Sequence, residues 1–189
     1  MRVALLGGTF DPPHIGHWLA AVDAFEALDL DRLVFVPAAR QPLKQDRETA
    51  PAAARLAMLR AMAEGDPRFA VDPIELERPG LSFTVDTLEA YRRRAEVAEL
   101  YFVIGADALA SFDRWKSPER VRQLATLVVL RRDADVVDLP AGVDARVLRS
   151  RRIDVSSTEV RARLRAGQSI RGFVPAAVEA YLTASGLYR

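Results

Sequence analysis

The chain has 189 residues, half of them apolar and 28% charged, so one medium-sized α/β domain with a sizeable core is the expected organisation. Lys plus Arg number 27 against 26 Asp plus Glu, and a net charge of +1 gives no global field for a nucleic-acid backbone or an acidic membrane surface. The absence of cysteine excludes disulfides, thiolate metal sites and cysteine nucleophiles.

Met1 leads directly into a short apolar stretch, with neither the basic segment nor the longer apolar segment of a secretory signal. No apolar run reaches the ~18 residues that span a bilayer. A cytoplasmic protein with no membrane and no nucleic-acid partner is therefore expected, and the sequence is compatible with a homo-oligomer. Short apolar runs of strand length fall at 3–6, 33–37, 69–72, 100–104, 126–130 and 145–148, and helical spacing falls between them at 15–28, 52–63, 84–97 and 118–124. Alternation of this kind, with continuous apolar residues in the strands, predicts a parallel sheet covered on both faces. Two further helices, at 157–166 and 175–185, predict a helical C-terminal subdomain from about residue 154. Proline content makes surface loops of 38–48 and 74–82.

The first strand-to-helix turn reads Gly7-Gly8-Thr9-Phe10-Asp11-Pro12-Pro13-His14-Ile15-Gly16-His17. Ligands of open parallel sheets bind beyond the carboxyl ends of the strands, where this turn lies. Gly7 and Gly8 let backbone approach a ligand, and the following helix offers N–H groups and a positive dipole end to an anion. His14 and His17 are the only histidines in the chain, and their i, i+3 spacing puts both imidazoles on one face. A metalloprotease pair would be spaced i, i+4 with an intervening Glu, and a Walker loop would carry Gly-Lys-Ser/Thr. Phosphoryl chemistry, driven by positioning and charge neutralisation, is the reading left.

This stretch resembles the His-x-Gly-His signature of the nucleotidyltransferase superfamily. The resemblance implies a Rossmann-like fold and attack of an acceptor oxygen on the α-phosphate of a nucleoside triphosphate, with His14 and His17 at that phosphate. Farther along, Ser156 and Glu159 stand in capping-box spacing at a helix start, with Arg161 and Arg165 on one face and Arg149, Arg151 and Arg152 upstream. A second anion site is expected there. The run Val155-Ser156-Ser157-Thr158-Glu159-Val160-Arg161 is similar to the Ile-Ser-Ser-Thr-x-Ile-Arg motif of bacterial nicotinate mononucleotide adenylyltransferases. That likeness implies Ser157 and Thr158 at the phosphates and Arg161 on the departing pyrophosphate.

Ser82-Phe83-Thr84-Val85-Asp86-Thr87 opens a predicted helix with Ser82 or Thr84 as cap, and Gly105-Ala106-Asp107 follows a predicted strand. Trp115 stands in a polar loop, where a flat aromatic face can hold a flat ring. These pieces resemble the Ser-Tyr-Thr-x-Asp-Thr and Gly-x-Asp-x₇-Trp elements of the same adenylyltransferases, with Phe83 in place of the usual Tyr. The resemblance implies that Trp115 stacks on a nicotinate ring and that backbone amides near Thr84 and Trp115 read its carboxylate. It further implies ATP and nicotinate mononucleotide as substrates, Gly7, Gly8, Thr9, Phe10, Gly105 and Asp107 on the ATP side, and Mg²⁺ carried by the ATP phosphates. At Gln41-Pro42-Leu43-Lys44 the family usually has Pro-His-Lys, so Leu43 removes an imidazole while Lys44 keeps a cation for the phosphates. Phosphopantetheine adenylyltransferase, the neighbouring family, usually has Thr at the position of His14 and lacks an equivalent of Trp115. A non-catalytic nucleotide-binding module is the alternative of a different class.

Overall fold

The computed structural model describes residues 1–40, 49–131, 139, 144–151 and 153–189. Among them, six strands run β1 (Arg2–Gly8), β2 (Arg32–Pro37), β3 (Phe69–Val71), β4 (Glu99–Gly105), β5 (Thr126–Arg131) and β6 (Ala145–Arg149). The helices are α1 (Ile15–Ala27), α2 (Ala52–Ala63), α3 (Thr84–Arg92), α4 (Ala106–Leu109), α5 (Pro118–Leu124), α6 (Ser157–Arg165) and α7 (Ala176–Ser185), with a 3₁₀ turn at Phe112–Arg114. The strands form one parallel sheet in the order β3-β2-β1-β4-β5-β6. This is a doubly wound, Rossmann-like order, in agreement with the parallel sheet that the alternation of elements predicted and with the fold that the resemblance implied.

Side chains of successive strand residues point to opposite faces, and the chain fills both faces with apolar residues. Ala4, Leu6, Leu33, Phe35, Tyr101, Val103 and Val128 face one layer; Val3, Leu5, Val34, Val36, Leu100, Phe102, Leu127 and Val129 face the other. The first layer is completed by α1 and α2 and by Val160, Leu164, Val178 and Leu182 of α6 and α7. The C-terminal helices thus share a core with the sheet, which fixes α6 beside the β1–α1 turn.

Two local features differ from the sequence reading. The helix expected over 84–97 ends at Arg92, because Arg94 leaves the helical path to donate to Asp72 at 2.8 Å with its guanidinium 3.8 Å from the Tyr91 ring centre. Its cap is neither Ser82 nor Thr84: Phe83 occupies the N-cap position without a side-chain bond, and the Ser82 hydroxyl instead accepts from the Ala39 N–H. The loop expected over 38–48 lies mostly outside the described residues, and Lys44 with it.

Arg55 of α2 is the largest fully buried side chain in the molecule's described part. Its Nη1 donates to the Thr9 and Ala38 carbonyls, both at 2.8 Å, and its Nε to the Ala50 carbonyl at 3.1 Å. One guanidinium therefore ties the exits of β1 and β2 to α2. Burial lowers its pKa, with Asp11 and Tyr188 opposing that shift. Replacing Arg55 by Met keeps most of the volume but leaves those carbonyls unpaired, so a stability loss of about 3 kcal/mol or more is expected in urea unfolding. A loss below about 1 kcal/mol would show that water can substitute for the guanidinium.

Candidate active site

Gly8 ends β1, and the chain then enters Phe10 with a positive φ of 51°. Phe10 is buried, its ring edge-on to Phe35 at 5.9 Å and to His17 at 5.0 Å between centroids. A Cβ at Gly8 would stand 2.9 Å from the Phe10 ring, so glycine there allows the aromatic to fold under the turn. His14 follows as the extended N-cap of α1, not as a member of its first turn, and His17 sits at the third helical position.

The two imidazoles cap the helix reciprocally. Nδ1 of His14 accepts from the Gly16 N–H at 3.1 Å, and Nδ1 of His17 accepts from the His14 N–H at 3.2 Å. An imidazole nitrogen that accepts from an N–H carries no proton, so in each ring that proton belongs on Nε2. The rings stack with centroids 3.7 Å apart at 35°. Burial first, and the neighbouring His14 second, push the His17 pKa well below its ordinary value, so His17 is neutral at physiological pH. Two Nε2–H donors, on the sides of the rings away from the helix backbone, are the result. Gly16 is needed for this geometry, because a Cβ there would lie 3.0 Å from the His14 ring.

The expectation that free amides of α1 would hold an anion is not met. Ile15 N–H donates to the Phe173 carbonyl at 2.9 Å, Gly16 N–H to His14 and His17 N–H to the His14 carbonyl. These backbone donors are consumed by the turn and by Phe173, and the imidazoles replace them.

The second predicted phosphate element reaches the same loop. Ser156 caps α6 by accepting from the Glu159 N–H at 3.1 Å, as its spacing predicted. Ser157 Oγ donates to the Pro12 carbonyl at 2.8 Å. Arg161 donates through Nη1 to the Asp11 carbonyl at 2.7 Å and through Nη2 to Thr158 Oγ1 at 3.2 Å, with the Asp11 carboxylate 3.7 Å away. The start of α6 is thus bonded to Asp11 and Pro12, in the same loop that leads into His14, and Ser157 and Arg161 spend some donors on that loop itself. Arg151 pairs with Asp23 of α1 at 3.3 Å, while Arg152 lies outside the described residues.

Asp11 joins these parts and was not singled out in the sequence, although it is the one carboxylate between Gly7 and His17. It is buried and accepts from the Ala50 N–H at 3.0 Å and from the Tyr188 hydroxyl, next to the C-terminal Arg189. Burial, then that bond, raises the Tyr188 pKa far above the phenol range.

Across the switch between β1 and β4, Gly105 caps α4 with open space where a Cβ would be, and Asp107 is exposed in its first turn. Trp115 follows the 3₁₀ turn, half-buried, with its ring 5.2 Å from Phe112 and 6.0 Å from Phe102. Its N–H donates to the Phe112 carbonyl at 3.1 Å, so in this arrangement it is not offered to a ligand carboxylate. Thr84 opens α3, where an N–H has no acceptor within the helix. Lys116 sits beside that end, 3.0 Å from Asp86 and 4.6 Å from the centre of the Phe83 ring.

An open parallel sheet with a paired-imidazole turn at its switch point places two side-chain donors where sheets of this class bind their ligands. The cytidylyltransferase-like family model matches residues 5–163. A protein of Gemmatimonas aurantiaca is 51% identical over all of this chain and 93% of its own length, and one of Thermus thermophilus is 49% identical over the whole of both; each bears the name "Probable nicotinate-nucleotide adenylyltransferase". Among solved structures, Plasmodium falciparum nicotinic acid mononucleotide adenylyltransferase complexed with NaAD superposes with a TM-score of 0.78 at 17% identity, over 99% of this chain and 97% of that one, and so supports the fold. The chain belongs to the cytidylyltransferase-like family and, within it, to the nicotinate-nucleotide adenylyltransferases.

The neutral His17 has a consequence for stability. In the unfolded chain it titrates near its ordinary value of 6.5, whereas in the fold it resists protonation. Below about pH 6.5 the unfolded state therefore binds the extra proton, and stability falls as the pH drops, by up to about 1.4 kcal/mol per pH unit for one site. Urea unfolding at pH 5 to 8 is expected to show this slope in the parent and a flatter one in His17→Gln. Equal slopes would mean that His17 protonates freely in the fold.

Proposed function

We propose that this chain transfers the adenylyl group of ATP to nicotinate mononucleotide, forming nicotinate adenine dinucleotide and pyrophosphate in cytoplasmic NAD synthesis. The observation that carries the reading is the pair of stacked imidazoles with both Nδ1 atoms held by backbone N–H groups. In the reaction a phosphate oxygen of nicotinate mononucleotide attacks the α-phosphorus, the P–O bond to the β-phosphate breaks, and its electron pair leaves with pyrophosphate. The attacking phosphate is already anionic near neutral pH, because its second pKa is about 6, so no general base is required. His14 and His17 donate from Nε2 to oxygens of the α-phosphate, and these bonds strengthen as charge builds there. A neutral donor suits this task, since it needs no counter-ion when the site is empty of substrate.

Arg161 and Lys44 neutralise the departing pyrophosphate in this reading, with Ser157 and Thr158 beside them. The turn at Gly7, Gly8, Thr9 and Phe10, together with Gly105 and Asp107, borders the ATP, while Thr84 and Trp115 take the pyridine end. Asp11 Oδ1 already accepts from Ala50 and Tyr188 and Oδ2 faces Arg161, and among the described residues no group of three or more His, Asp and Glu is placed to hold a metal ion. Mg²⁺ carried in on the triphosphate, with few protein ligands, fits this donor set and would add charge neutralisation at the phosphates.

Pyrophosphate release from ATP is expected with nicotinate mononucleotide as acceptor and to be far slower without it; release that ignores the acceptor would contradict the proposal. His17→Ala is expected to lower kcat about 100-fold or more while the protein stays folded. Unchanged turnover would remove the role assigned to His17.

Trp115 decides the acceptor. If it stacks on the nicotinate ring, Trp115→Ala raises the acceptor KM about five- to a hundred-fold, matching roughly 1–3 kcal/mol of stacking, and leaves the ATP KM nearly intact. Trp115→Phe recovers much of that loss and Trp115→Leu little. If both KM values shift together and the melting temperature drops in all three variants, Trp115 acts only as a cover for Phe102 and Phe112.

A further inference from the structure

Glu75 is a buried carboxylate in the loop between β3 and α3, and no cation lies within ion-pair distance of it among the described residues. Such a group costs stability unless hydrogen bonds hold its charge. A hydroxyl of α3 supplies one: Thr87 Oγ1 donates to Glu75 Oε1 at 2.7 Å. Burial still raises the Glu75 pKa, with Thr87, Ser82 and Arg78 acting the other way.

Thr87 Oγ1 in turn accepts from Arg78 Nη2 at 3.4 Å, so its own proton is directed at Glu75. Ser82, close enough to act on the Glu75 charge, accepts at Oγ from the Ala39 N–H at 2.9 Å. The Ser82 N–H in turn donates to the Arg40 carbonyl at 2.9 Å. Glu75 is therefore bonded to the second turn of α3 and lies beside Ser82, which links the residues just beyond β2 to the start of α3. Thr84, which opens α3, stands two residues after Ser82, and its N–H direction follows from where Ser82 is held.

We propose that Glu75 is a positioning residue for the acceptor: its carboxylate, through Thr87, sets the N-terminal part of α3 against which the pyridine nucleotide's carboxylate docks. The inference rests on the reading of Thr84 and Trp115 as the acceptor site. A Gln at this position retains one acceptor oxygen and the side-chain volume, whereas Ala abolishes the junction.

The experiment compares the parent with Glu75→Ala, Glu75→Gln and Tyr91→Phe. The Tyr91 hydroxyl donates to Asp72 at 2.6 Å, so its loss loosens α3 without touching Ser82 or Thr87. Steady-state KM for nicotinate mononucleotide and for ATP is measured beside amide hydrogen exchange of residues 39 and 82–85. Glu75→Ala is expected to raise the acceptor KM about tenfold or more, to leave the ATP KM within about twofold, and to speed exchange at residues 39 and 82–85. Glu75→Gln recovers a substantial part of both effects, and Tyr91→Phe lowers the melting temperature with neither effect. If Glu75→Ala moves both KM values equally and merely parallels Tyr91→Phe in melting temperature, or leaves exchange at those amides unchanged, the proposal is overturned. If the parent itself shows no turnover of nicotinate mononucleotide, the reading of the acceptor fails, and the exchange data still decide whether Glu75 holds the start of α3.

Discussion

The turn between β1 and α1 has almost no regular structure of its own, and its shape depends on donors that converge on it from distant parts of the chain. Arg55 of α2 binds the Thr9 carbonyl, Arg161 of α6 the Asp11 carbonyl and Ser157 the Pro12 carbonyl. The Asp11 carboxylate receives the Ala50 N–H and the Tyr188 hydroxyl, from 39 and 177 residues away. Each bond closes a long loop, so the entropy of ordering the turn is met by contacts that form only when the whole sheet is assembled. Phe10 beneath the turn, in the left-handed region, is held by the same surroundings.

This constraint determines the chemistry of the site. A helix N-terminus ordinarily offers its own amides to an anion. Here those amides are absorbed by Phe173, by the His14 carbonyl and by the His14 ring. The imidazoles accept on one nitrogen and thereby become donors on the other. The turn thus converts backbone donors, which are fixed close to the helix axis, into side-chain donors that reach farther toward a phosphate. The side chains proposed for the phosphates, Ser157 and Arg161, also brace the loop, so a phosphate-binding role there would not be separable from architecture. A substitution there acts on both.

The sheet was legible because strands buried on both faces read as short continuous apolar runs, and the alternating assignment of 3, 5 and 4, 6 to opposite layers follows from the pleat alone. The two histidines and the Ser156 cap were legible because their spacing is local. Other residues carry no local sign. Arg55 stands in an alanine-rich helix where an Arg ordinarily reads as solvated, yet it is buried against carbonyls from three loops. Glu75 and Tyr188 act through partners 12 and 177 residues away, and Asp72 shortens α3 by recruiting Arg94 from the strand side. Spacing reveals contacts within one element; it does not reveal side chains that cross between elements.

The account turns on both imidazoles being neutral Nε2–H donors fixed by backbone N–H groups at Nδ1. With only two histidines in the chain, long-range ¹H–¹⁵N correlation spectra of the imidazole rings at pH 7 test this directly. Both rings should show an unprotonated Nδ1 and a protonated Nε2, with His17 keeping that pattern well below pH 6.5. A proton on Nδ1 of either ring, or an imidazolium at His17 near neutral pH, would contradict it.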